Sequence, residues 1–152
     1  MSTVETIPET LAAAEAFVEK AGVYWYSSEN LNVRGLARAM NAVGARFVTI
    51  TAYQLPKDEG YRLEYHWDVD GRLLGFGFNI AGYTMESIYD LCEAVDWIER
   101  EIHEGFELDF TGRAYEPLQI RPGEPIGVNL REIGVPAKSD SGLRGVGEEV
   151  AK

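Results

Sequence analysis

The stretch Tyr61-Arg62-Leu63-Glu64-Tyr65-His66-Trp67-Asp68-Val69 constrains the fold more than any other part of the chain. Apolar and aromatic residues take every second position, and charged residues or histidine take the others. Successive strand side chains point to opposite faces. This order therefore puts Tyr61, Leu63, Tyr65, Trp67 and Val69 on one face and Arg62, Glu64, His66 and Asp68 on the other. Asp70-Gly71 follows, a pair that tolerates the positive φ angles of a tight hairpin turn. The chain is thus expected to return as a partner strand over Arg72 to Ile80. Gly75 and Gly77 interrupt that strand and predict a bulge or the close approach of another backbone. Upstream, Arg46 to Tyr53 also alternates with a period of two, and Pro56 to Gly60 is a turn cluster.

Helices are expected to cover this sheet. Val33, Leu36, Ala37, Met40 and Val43 repeat at helical spacing behind Asn32, a suitable N-cap, and Gly44 suits the left-handed closing position. Residues 8–21 predict an alanine-rich helix with Leu11, Ala14, Phe17 and Val18 on one side and Gly22 as its stop. A short strand over Val23 to Tyr26 follows. Another helical region is expected from about Met85 to Phe106. The predicted class is α/β, or α+β in stricter usage: a small mixed sheet with an Asp-Gly hairpin, flanked by helices. Six glycines and the prolines at 122, 125 and 136 crowd the last thirty residues, a composition unable to build a packed element. Residues 1–120 are therefore read as one domain and 121–152 as an extended tail.

Charge and cysteine content narrow the function. The net charge is −11, and residues 121–152 balance five basic groups against five acidic ones, so all of the excess lies in residues 1–120. Phosphate backbones and anionic lipids repel such a surface, which argues against nucleic acid and against direct membrane contact. No apolar run approaches the roughly 18–20 residues that span a bilayer. The start, MSTVETIPET, lacks the pattern of a secretory signal, so a cytoplasmic location is expected. The single cysteine, Cys92, leaves no internal disulfide and too few thiolates for an iron–sulfur cluster. It lies on an apolar stripe without an adjacent histidine and reads as a buried, inert thiol.

Residues 88–106 carry the most informative pattern. On a helical wheel Ile88, Leu91, Cys92, Val95, Ile98, Ile102 and Phe106 form one apolar stripe. Glu99 falls inside that stripe, and Trp97 falls on the opposite, acidic side. A carboxylate on a buried face must be paired or hydrogen-bonded, or become neutral. Glu99 is thus either a general base or proton-coupled group, or a structural ion pair with an arginine nearby or on a partner. The structural pair is the plainer reading. An outward tryptophan among acidic residues suggests a protein contact. Glu99, Glu101, His103 and Glu104 bear groups able to bind a divalent metal, but their order does not give two imidazoles one turn apart, and the only other histidine is His66. Neither a phosphate-binding loop nor a nucleophile elbow occurs.

The run from Ala94 to Gly112 resembles the signature of the thirty-kilodalton subunit of respiratory complex I, the NADH–quinone oxidoreductase, which has relatives in energy-converting membrane-bound [NiFe] hydrogenases. Trp97, Glu99, Arg100, Glu101, Phe106, Phe110 and Gly112 match that signature. Ser87 to Leu91 and the order of helix, strand, Asp-Gly hairpin and strand agree too, so the likeness covers about residues 30–120. Glu104-Gly105 replaces an Asp-Leu pair, Glu107 replaces a glycine, and Arg113-Ala114 replaces a His-Pro. The short ending makes the hydrogenase-type subunits the nearer match and the thirty-kilodalton subunit of the respiratory NADH–quinone oxidoreductase proper the alternative. The resemblance implies a non-catalytic subunit that binds no cofactor itself and joins the membrane only through other subunits, on its cytoplasmic face. Iron–sulfur clusters, and nickel–iron in a hydrogenase, would sit in partners: the large catalytic subunit and the small iron–sulfur subunit. Trp97, Arg100, Glu101, His103 and Glu104 would face those partners, with Glu99, Phe106 and Gly112 structural. A competing reading is a small stand-alone enzyme using Glu99, Glu101 and His103, and another is an acidic adaptor for a basic partner.

Overall fold

A computed structural model describes residues 17–27, 31–56 and 59–131. The strand read at 61–69 forms the centre of the fold. Strands β1 (Val18–Lys20), β2 (Val23–Ser27), β3 (Arg46–Gln54), β4 (Tyr61–Val69) and β5 (Arg72–Ile80) build one mixed sheet in the order β1-β2-β5-β4-β3. All neighbours are antiparallel except β2 and β5, which run parallel. Tyr61, Leu63, Tyr65, Trp67 and Val69 are all buried and share one core cluster with Leu74, Phe76 and Phe78 of β5. Asp70 and Gly71 adopt φ of 51° and 79°, the hairpin geometry that the pair predicts.

Helix α1 (Val33–Ala42) begins at Asn32, whose side chain accepts a hydrogen bond from the Gly35 N–H, and Gly44 closes it with φ of 69°. Its buried residues Val33, Leu36, Ala37 and Met40 join the sheet's core cluster, as do Val95 and Ile102 around helix α2 (Asp96–Phe106). Strands β6 (Thr84–Glu86) and β7 (Asp109–Thr111) flank α2 in sequence and pair in parallel as a separate ribbon.

Several expectations need correction. Residues 18–20 are not the end of a helix: Val18, Glu19 and Lys20 pair with Trp25, Tyr24 and Val23 across a turn at Ala21-Gly22, both with positive φ. Residues 8–16 of that expected helix lie outside the described residues. The helix expected from Met85 begins only at Asp96, because Thr84–Glu86 pairs with β7 and Ile88 to Cys92 forms a turn leading into a 3-10 segment at Glu93–Val95. Strand β3 carries a bulge at Val48, which turns Phe47 and Ile50 onto the same face although their spacing is odd. Gly75 and Gly77 do mark close approaches, but by side chains. A Cβ at Gly75 would lie 2.6 Å from the Trp25 ring, and one at Gly77 would collide with the Arg62 guanidinium.

Candidate functional site

Each face of α2 has a different occupant. Its apolar side packs into the core through Ile98, Ile102 and Phe106, and the Phe106 carbonyl accepts a 2.8 Å hydrogen bond from the Tyr61 hydroxyl of β4. Glu99 points the same way and is 1% exposed. Its Oε2 accepts from Ser87 Oγ at 2.6 Å and from Arg113 Nη1 at 3.1 Å, and its Oε1 accepts from the Ile88 N–H at 3.0 Å. This is the structural ion pair, and its partner is the arginine that stands where the family signature has histidine. Arg113 also contacts the Asp96 carboxylate and lies 4.5 Å from the centre of the Tyr89 ring. Arg34 of α1 holds the same turn from the other side, donating to the Ser87 carbonyl and to both oxygens of Asp90 at 2.7 Å. These bonds fix residues 87–91 outside a helix, whatever their apolar spacing.

A second face grips the chain's own segment 115–120. Arg100 donates to the Glu116 carbonyl at 2.9 Å and the Pro117 carbonyl at 2.7 Å, while Asp96 accepts from it one turn back at 3.0 Å. One turn on, Glu104 is 2% exposed and accepts from the other side of the same backbone. Its donors are the Leu118 N–H at 2.6 Å, the Tyr115 hydroxyl at 2.7 Å, the Gln119 N–H at 2.9 Å and the Ile120 N–H at 3.3 Å. Burial pushes the Glu104 carboxyl up, but these donors together outweigh it and hold it below the usual carboxylate range. Tyr115 moves the opposite way, pushed up to about 12 by burial and then by its bond to Glu104. The strap continues past 120: the Gly127 N–H donates to the Glu104 carbonyl, the Asn129 N–H to the Gly105 carbonyl and the Arg131 N–H to the Gln54 side chain. Residues 121–131, read from sequence as the start of a tail, contain no helix or strand and bond to α2 through Gly127 and Asn129. The remainder of the expected tail lies outside the described residues.

The site residues named from sequence therefore separate. Glu99 is held by Ser87, Ile88 and Arg113, Phe106 packs against the core, and Gly112 turns the chain after β7 with φ of 86°. Arg100, His103 and Glu104, expected to face partners, are engaged within the chain. His103 sets its ring 4.2 Å from that of Tyr115, with Nδ1 2.9 Å from the Leu108 carbonyl. Trp97 and Glu101 remain on the outside, Trp97 with 71% of its surface exposed.

The trio Glu99, Glu101 and His103 does not converge, since Glu101 leaves on the exposed face. The cavity beside Glu99, His103, Arg113 and Tyr115 measures ≈ 10 Å³, room for about one water. Among the described residues no three of His, Cys, Asp and Glu gather as metal ligands do. Cys92, expected to be buried, is only partly so, and that burial raises its thiol above the ordinary value. No described helix is long and apolar enough to cross a membrane.

Sequence reasoning missed the burial of Glu104. The available signal was its position one turn after Arg100, ahead of a segment, Tyr115 to Ile120, whose amides have no strand or helix of their own to satisfy.

The fold is shared with proteins of known structure. One match is a chain from the structure of the membrane-bound sulfane sulfur reductase, an archaeal respiratory membrane complex. It is 25% identical with a TM-score of 0.67, over 77% of this chain and 74% of that one. A trypsin-resistant fragment of Nqo5 aligns at 17% identity with a TM-score of 0.57, over 72% of this chain and 96% of the fragment. No curated protein sequence matches. The family model described as respiratory-chain NADH dehydrogenase, 30 Kd subunit, matches residues 28–131, which include both helices, the Glu99 and Glu104 clamps and the docked strap. The chain belongs to the family of the 30 kDa subunit of respiratory-chain NADH dehydrogenase.

Proposed function

We propose that this chain is a non-catalytic subunit of a membrane-associated electron-transfer complex, packing against a large catalytic subunit and a small iron–sulfur subunit. The observation that carries this reading is the saturation of α2. Glu99 and Glu104 have their oxygens filled by the chain's own donors, and Arg100 has its donors filled by Asp96 and two carbonyls. Groups so fully engaged hold a shape and leave little for proton transfer, whereas Trp97 is offered outward. Membership of the 30 kDa family and the likeness to a chain of an archaeal respiratory membrane complex support the same reading.

The electron carriers then reside in the partners: iron–sulfur clusters, with nickel–iron as well if the complex is of the hydrogenase type. Contact with the membrane runs through other subunits, on its cytoplasmic face. Affinity purification of the tagged chain from its own cells should bring down partner subunits with stoichiometric iron and sulfide. The isolated chain should be colourless. One iron, zinc or flavin bound per isolated chain, or enzymatic activity of the chain alone that Glu99→Gln abolishes, would replace this reading with the stand-alone enzyme.

A further inference from the structure

Trp97 is the most exposed large hydrophobic side chain among the described residues, at 71%. Glu101, exposed and four positions after it on α2, sits about one turn away along the same side of the helix, and Glu93, also exposed, opens the 3-10 segment that leads into α2. The nearest cations in sequence are withdrawn from this ridge. Arg100 is spent on Asp96 and the carbonyls of Glu116 and Pro117, and Arg113 on Asp96 and Glu99. This surface thus shows solvent an indole with carboxylates near it in the chain, and Arg100 and Arg113 are both turned to other partners.

We infer that the Glu93–Trp97–Glu101 ridge docks onto an arginine-bearing protein surface of a partner subunit. The inference rests on the subunit reading above and names the chemistry of the partner. A guanidinium can lie on the indole face and donate its fork of N–H groups to a flanking carboxylate at the same time, which a lysine ammonium does less well. A desolvated tryptophan at the middle of a contact with charges at its rim has the anatomy of an interface hot spot. Phosphate-bearing surfaces, whether lipid or nucleic acid, meet the two carboxylates as like charges. A second copy of this chain would set one acidic ridge against another.

The test places a photo-crosslinking benzoylphenylalanine at position 97 of the full chain, in the complex purified at low salt and then irradiated. The expected adduct is on one partner subunit, in a peptide with arginine at or beside the linked residue. In a Glu93→Lys/Glu101→Lys background the adduct should fall about tenfold, with Glu93→Gln/Glu101→Gln intermediate. Circular dichroism of these exposed-site variants checks that each remains folded. An adduct on a second copy, on lipid, or on a peptide without arginine overturns the inference, as does a yield indifferent to both pairs of substitutions. If the complex assembles and no adduct forms, the contact is wrong and the subunit reading stands. If the chain purifies with no other subunit at all, both are wrong.

Discussion

The meander β3–β4–β5 and the region around α2 are closed by different physics. In the meander, the inner face is aromatic and aliphatic, and Tyr65 stacks on Trp67 and on Phe78 at 5.9 Å each. Such contact is non-directional and roughly proportional to area. Around α2, the spaces facing residues 87–91 and 113–120 are closed by two buried carboxylates that must each meet several donors. A wrong atom in the first region leaves a void. A wrong atom in the second leaves unpaired donors, at Glu99 the Ser87 hydroxyl, the Ile88 N–H and one guanidinium nitrogen of Arg113, whose other nitrogen keeps Asp96. The meander therefore sets global stability, whereas α2 sets the shape of an otherwise structureless stretch of chain.

The largest effect is expected from the meander. Trp67→Ala should cost about 4 kcal/mol, read as a lower urea midpoint for the whole molecule. Glu99→Ala removes one side of a buried pair and should cost about 3 kcal/mol, with Glu99→Gln between it and the parent. If Glu99→Ala melts unchanged, the clamp contributes nothing and the contrast between the regions fails. Glu104→Gln should cost about 2 kcal/mol, and the damage should be local. Hydrogen exchange should quicken at 118–120 while the amides of β4 keep their protection. Equal acceleration in β4 would show that the strap and the sheet unfold as one.

Acid separates the regions without mutation. Glu104, against its burial and through its four donors, and Asp96, chiefly through Arg113, titrate below their ordinary values. A depressed folded value contributes stability above the unfolded carboxylate pKa of about 4, and that contribution is lost as pH falls through the folded value. Between pH 6 and pH 3 the protection of 118–120, corrected for intrinsic exchange, should therefore fall before that of β4. The smallest effect concerns Glu107, which closes α2 in the left-handed region with φ of 57°. Glycine stands there in the family signature, and Glu107→Gly should stabilise the chain by about 0.5 kcal/mol, seen as a small rise in Tm.

Legibility in the sequence follows the same divide. Strand β4, its hairpin and α1 with its Asn32 cap are legible because period, turn chemistry and capping act over a few residues. Glu99 is legible as a carboxylate out of place on an apolar stripe, although its donors Ser87 and Arg113 are not. The non-helical turn at 88–92 is illegible, since Ile88, Leu91 and Cys92 have helical spacing and bonds from distant residues, among them Arg34, Asn41 and Glu99, hold them otherwise. Val18 to Lys20 lose their helical preference to pairing with β2. The bulge at Val48 shows only once Phe47 and Ile50 are both known to pack inward.

The parallel seam in the sheet has a consequence for the order in which the molecule assembles. Hairpin β4–β5 closes over Asp70-Gly71, whereas β2 meets β5 by bringing Val23 beside Leu73, fifty positions further along. Closing the longer loop costs more chain entropy, and the return comes only once both strands exist. On a ribosome, β2 has emerged long before β5, and its other neighbour among the described residues is the three-residue β1. The apolar side of Tyr24 and Tyr26 is then exposed until residue 80 clears the exit tunnel, the interval in which a nascent chain of this kind most needs a chaperone.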